Sequence, residues 1–112
     1  MVDERVKNVV RELVDALVLK GLKVEKTIVY GSYASNREHA DSDLDVAIVS
    51  SDLGEDRFEE GKMLLQTAWR IDPRLHPIPL SLDAYQNDTW VPLIHEIRVH
   101  GIEIELNRPD KR

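Results

Sequence analysis

The apolar residues of this chain change their spacing within the first fifty positions, and that change limits the fold more than any other feature. Val6, Val9, Val10, Leu13, Val14, Leu17 and Val18 recur at the i, i+3, i+4, i+7 interval of one helical face. Val24 to Tyr30 and Leu44 to Val49 are instead short, apolar and rich in β-branched residues, which suits buried strands and is too brief for helices. Gly21 after Lys20 fits a left-handed cap that stops the first helix. A chain patterned this way must lay helices on a sheet.

The second half continues the alternation. Phe58, Met63, Leu64, Ala68 and Ile71 predict a helix over about 56–71, ended before Pro73. Leu75 to Leu82 reads as a strand, but Pro77 and Pro79 each remove a ladder donor, which predicts an edge strand or irregular pairing. Val91, Ile94 and Ile97 mark a helix within Trp90 to His100, stopped at Gly101, and Ile102 to Leu106 reads as a short closing strand. Trp69 and Trp90 are expected in the core, and the polar tail 107–112 is expected to fray. The order α, β, β, α, β, α, β predicts a small α/β (α+β) domain with a mixed sheet of about four strands flanked by helices. With 112 residues and no repeat or linker, one domain over 1–112 is expected.

Composition excludes several functions. Twenty-one acids against fifteen Lys and Arg give a net charge of −6, so no direct nucleic-acid binding through phosphate neutralisation is expected. The absence of cysteine rules out a disulfide scaffold, a thiolate zinc site and a thiol nucleophile, and it fits a reducing compartment. Charges interrupt the N-terminal helix every few residues, so it is neither a signal peptide nor a membrane span, and a soluble, cytoplasmic protein is expected.

The residues that carry chemistry lie between Gly31 and Val46. Asp43 and Asp45 open the second strand, where side chains at i and i+2 share a face with about 6.5 Å between Cα atoms. Two carboxylates can thus converge on one Mg²⁺ ion, which takes hard oxygen ligands and is commonly shared with a substrate phosphate. Gly31-Ser32 ends the preceding strand, where glycine admits a close ligand and serine can open a helical turn with unpaired N–H groups that suit a triphosphate. Alone, a Gly-Ser pair is commonly only a turn and an Asp-x-Asp only a solvated or capping pair. Here both stand in the order strand, turn, loop, strand, with ten residues, 33–42, between Gly31-Ser32 and Asp43-x-Asp45.

That arrangement resembles the signature of the minimal nucleotidyltransferase proteins of the DNA-polymerase-β-like superfamily, which are often encoded beside a HEPN-domain toxin. The resemblance covers nearly the whole chain, including the N-terminal helix and the closing pattern Leu93 to Ile104. It implies a nucleotidyltransferase fold and transfer of AMP from Mg²⁺-bound ATP to a hydroxyl, a tyrosine of the partner toxin in the paired systems. It also implies that Gly31 and Ser32 hold the phosphates and that Asp43 and Asp45 ligate the metal. A module this small would take its acceptor from a partner, and association into a homo- or hetero-oligomer is compatible with it.

Three departures qualify the resemblance. Where the family has Arg-Gly this chain has Ser35-Asn36; asparagine tolerates a left-handed turn, and Arg37 is the nearest basic replacement. The family's third carboxylate, in the later strand, falls at Pro79 or Arg74 depending on the alignment, neither an acid; Asp72 and Asp83 flank that strand as alternative donors. The third is Pro79 itself. Without the third acid, the alternative to an enzyme is an antitoxin that binds nucleotide or partner and neutralises by steric contact. A weaker reading is a subunit acting on a small-molecule hydroxyl.

Two decoys fall on geometry. Asp41, Asp43, Asp45 and Asp52 imitate an EF-hand, but Val46 occupies the place that needs glycine. His95 and His100 imitate a zinc helix, but five helical steps leave their rings roughly 140° apart. Residues 38–60 hold nine acids against the single base Arg57, readable as a solvated face or as a negative field around the metal site.

Overall fold

The computed structural model describes residues 2–39 and 41–106. Helix α1 (Glu4–Leu19) starts at Asp3, whose carboxylate accepts the Val6 N–H at 3.0 Å. Strands β1 (Lys26–Tyr30) and β2 (Leu44–Ser50) follow, then helix α2 (Arg57–Trp69), strand β3 (Leu75–Ser81), helices α3 (Leu82–Asn87) and α4 (Pro92–His100), and strand β4 (Ile102–Glu103). The sheet runs β3-β2-β1-β4, parallel between β2 and β3 and antiparallel elsewhere. Among the described residues this is a mixed four-stranded sheet flanked by helices, as the apolar pattern predicts, with four helices where that pattern marks three.

Strand alternation sorts the core into two layers. Val29, Leu44, Val46, Ile48 and Leu75 pack on one face against α1 and α2 through Val10, Leu13, Leu17, Leu64 and Ala68. Ile28, Tyr30, Ala47, Val49 and Leu80 form the other face, covered by Ile94 and Ile97 of α4. From Val46 onward both faces of β2 are therefore buried, which is why Val46 to Val49 is continuously apolar.

Proline does not disrupt β3. All seven residues pair in register with β2, Leu44 with Leu75 through Ser50 with Ser81. The strand is an edge, and Pro77 and Pro79 are two apart, so both missing N–H groups can face the open side while His76, Ile78 and Leu80 face β2. Irregular pairing is thus corrected, and the edge position holds. Helix α3 has no apolar period and escaped sequence reading; its signal is Ser81, whose hydroxyl accepts the Ala84 N–H at 3.1 Å.

Other expectations also shift. Trp69 and Trp90 are 59% and 89% exposed, so neither belongs to the core. The closing strand is two residues long rather than five, and the tail 107–112 lies outside the described residues. The acid-rich segment is partly capping structure: Asp56 caps α2 by accepting the Glu59 N–H, Glu60 accepts the N–H groups of Gly54, Glu55 and Asp56, and Asp52 accepts that of Lys23. These acids follow the C-terminal end of β2, away from Asp43 and Asp45 at its start. Among the described residues no helix is long and apolar enough to cross a membrane.

The loop entering β3 is fixed by a side-on ion pair. Arg74 Nη2 lies 2.9 Å from Asp72 Oδ2, Arg74 Nε donates to Asp72 Oδ1 at 3.2 Å, and Arg74 Nη1 donates to the Tyr33 hydroxyl at 3.1 Å. Arg74 holds the Asp72 carboxyl below the ordinary carboxylate range. A carboxyl depressed in the folded state stabilises above its unfolded pKa, and that contribution is lost as pH falls through the folded value. Thermal melts should therefore show Asp72→Asn less stable than wild type near neutrality, with the gap closing below about pH 4; a pH-independent gap would contradict this.

Candidate active site

The β1–β2 register builds the site. Tyr30 stands opposite Asp45, and the chain leaves β1 at Gly31 with φ at 77°. The left-handed backbone favours glycine here, and a Cβ on residue 31 would lie 2.5 Å from Asp45 Oδ2, so any other residue would also push the carboxylate aside. The residues after it coil into a single helical turn. The Ala34 and Ser35 N–H groups donate to the Gly31 carbonyl at 3.1 and 3.2 Å, and the Arg37 N–H donates to that of Ser32 at 2.9 Å. Asn36 closes the turn with φ at 60°, the left-handed conformation expected of it. The first amides of such a turn have no preceding carbonyl to bind, which leaves them suited to an anion.

Asp43 and Asp45 belong to the face covered farther along by α4. Alternation from Asp45 runs through Ala47 and Val49, which lie beneath that helix, and the row turns polar where the cover ends. Asp45 is half-buried and Asp43 exposed. Burial lifts the Asp45 carboxyl above its ordinary value, the Asp43 charge adds to the rise, and His76 opposes it. Tyr30 is pushed up to about 12, first by burial and then by the Asp45 and Glu96 charges.

A cleft of about 540 Å³ opens beside this pair. Gly31, Ser32, Ala34, Ser35 and Arg37 line one side, and Glu96 and His100 of α4 line the other. Asp45 stands next to the cleft, across Gly31, rather than inside it. Arg37 thus presents a cation where Ser35-Asn36 lacks one. Glu96 and His100 were missed by sequence reading, although their four-residue spacing puts them on one side of a helix.

The third carboxylate is not where either candidate could supply it. Asp83 follows the far end of β3, about 20 Å along the strand from the Asp45 level, and accepts a bond from Asn87. Asp72 is taken by Arg74. The residue paired with Asp45 in β3 is His76, and its Nδ1 lies 3.5 Å from Asp45 Oδ1. Among the described residues no three His, Asp or Glu side chains are gathered as a metal cluster. Asp43 and Asp45 nonetheless supply the hard oxygen donors that suit Mg²⁺ shared with a phosphate, and the Gly31 turn lies directly against Asp45.

Residues 12–108 match the polymerase β nucleotidyltransferase family. The chain belongs to this family. Two solved structures share the fold. One, a toxin–antitoxin with AMP-PNP, superposes with a TM-score of 0.59 at 19% identity over 91% of this chain and 74% of that one. The other, a mutant of the MntA-HpeT toxin-antitoxin with two aspartates changed to glutamate, gives a TM-score of 0.54 at 17% identity over the same shares. No curated protein matches the chain.

Two variants test the geometry. Gly31→Ala should cost about 1–3 kcal/mol in denaturant unfolding through its positive φ, beyond the contact with Asp45. Asp45→Asn should raise the melting temperature by a few degrees, because a carboxyl whose pKa is raised by folding loses stability as pH rises through that pKa, and the amide removes the loss. An unchanged or lower melting temperature for Asp45→Asn would contradict the burial argument.

Proposed function

We propose that this nucleotidyltransferase domain transfers AMP from Mg²⁺-bound ATP to a hydroxyl of a partner protein, a tyrosine of a HEPN-type toxin, and so acts as an antitoxin. The observation that carries the reading is the contact between Gly31 and Asp45, which joins a phosphate-type turn to a carboxylate pair on one sheet face. Gly31 and Ser32 would hold phosphate oxygens through backbone amides, with Arg37 adding charge at the cleft wall. Asp43 and Asp45 would hold the ion, which when bound neutralises the triphosphate and polarises the phosphorus under attack. The acceptor hydroxyl would attack the α-phosphorus, the new O–P bond forming as the bond to the pyrophosphate leaving group breaks. The toxin-antitoxin character of both solved relatives, one with AMP-PNP, supports partner and nucleotide.

A second reading rests on the missing third carboxylate: neither Asp72 nor Asp83 reaches the pair, and the β3 residue registered with Asp45 is His76, not an acid. Under it the protein binds the toxin and blocks it without chemistry. Incubation with labelled ATP, Mg²⁺ and the co-encoded partner distinguishes the two. Wild type should label the partner, and Asp43→Asn or Asp45→Asn should each lower the rate at least ~100-fold. Labelling by Asp43→Asn at the wild-type rate would refute the assignment. Rescue of cells by the Asp43→Asn/Asp45→Asn double variant would favour steric neutralisation.

A further inference from the structure

The antiparallel pairing of β1 with β2 ends at Tyr30 and Asp45, so beyond that pair no ladder sets the distance between the turn after Gly31 and Asp43. The covalent path between them, residues 37–42, holds no helix or strand among its described residues. A second link spans this gap from behind. Ser32, Ala34, Ser35 and Arg37 line the cleft, whereas Tyr33 is buried in the core layer of α1 and α2, with Asp3, Arg5 and Val6 around it. There its hydroxyl accepts a bond from Arg74 Nη1 at 3.1 Å. Arg74 is itself held on Asp72, which accepts its backbone N–H at 2.8 Å, Nε at 3.2 Å and Nη2 at 2.9 Å. The Arg74 carbonyl accepts the Leu44 N–H at 2.8 Å, and Leu44 is the fully buried residue between Asp43 and Asp45. One residue thus touches both halves of the site: its side chain holds the turn, and its backbone holds the strand that carries the carboxylates.

We propose that Arg74, braced on Asp72, is a positioning residue for the nucleotide site, and that through Tyr33 it fixes the phosphate-type turn at the spacing from Asp43 and Asp45 that one ion–triphosphate unit requires. The inference rests on the nucleotide–metal reading of the proposed function. A guanidinium suits the task because its planar fork bonds a carboxylate side-on and keeps a further N–H for the hydroxyl, whereas an ammonium is a point charge without that geometry. Arg74 does not line the cleft, so its contribution is to the placement of other groups. Small displacements of a binding group are costly where two anchors must engage one ligand together.

Calorimetric titration of the full chain with AMP-PNP and Mg²⁺, well below the melting midpoint of every variant, separates positioning from stability. Tyr33→Phe keeps the buried ring and removes only the hydroxyl; it should weaken binding about five-fold or more. Arg74→Lys should weaken it to a similar extent, and the Tyr33→Phe/Arg74→Lys double variant should bind no worse than the weaker single one, because both changes remove the same link. Val10→Ala, in the same core layer, should lower the melting temperature and leave the affinity at the wild-type value. Wild-type affinity in Tyr33→Phe and Arg74→Lys, additive losses in the double variant, or an equal loss in Val10→Ala would each overturn the role of Arg74 and leave the nucleotide site standing. Failure of wild type to bind AMP-PNP and Mg²⁺ more tightly than the Asp43→Asn/Asp45→Asn double variant would overturn the underlying site as well.

Discussion

The site depends on one backbone pairing. Because Tyr30 is registered with Asp45, the residue that follows Tyr30 passes over a carboxylate, and glycine does so at a φ of 77° without strain and without displacing it. A shift by one residue would move Asp45 to the face packed by α1 and α2, where Leu44, Val46 and Ile48 are fully buried and an ionised group would have no partner. The same burial that fixes the register therefore fixes the chemistry. Leu44, Val46 and Ile48 anchor one face so that Asp43 and Asp45 emerge on the other.

Position along the strand supplies the rest. Helix α4 covers Ala47 and Val49 through Ile94 and Ile97, and its polar side, Glu96 and His100, becomes the far wall of the cleft. Asp45 sits where this cover ends, partly desolvated and beside the like charge of Asp43, which leaves its ionised form poorly compensated. Such a carboxyl costs stability in its ionised form. The acids after β2 have other work. Asp56 and Glu60 tie down the N-terminus of α2, so the negative run 38–60 is divided between a site at one end of the sheet and capping at the other.

Much of this was legible in the sequence. The apolar period marked α1, and the run Leu44 to Val49 marked a central strand, because both depend on burial that a linear pattern records directly. Gly31-Ser32 and Asp43-x-Asp45 were readable as a pair because close backbone approach and i, i+2 alternation are local properties. What stayed hidden depends on partners distant in sequence. That His76 stands beside Asp45 follows from the β2–β3 register, and no local rule fixes it. Pro77 and Pro79 were recognisable as edge residues, but the ease of their pairing required knowing which side of the strand was open. Trp69 and Trp90 were misplaced because large aromatic residues are usually covered, and here Trp69 at the end of α2 and Trp90 in the loop before α4 are both exposed.

The proposed function requires the Gly31 turn and the Asp43–Asp45 pair to form one nucleotide–metal site. A crystal structure of the full chain with a non-hydrolysable ATP analogue and a divalent cation addresses it most directly. Phosphate oxygens are expected on the backbone amides at Ser32 and the residues after it, with the ion held between those phosphates and Asp43 and Asp45. Nucleotide bound elsewhere, or bound in the cleft with the ion on neither carboxylate, would contradict it.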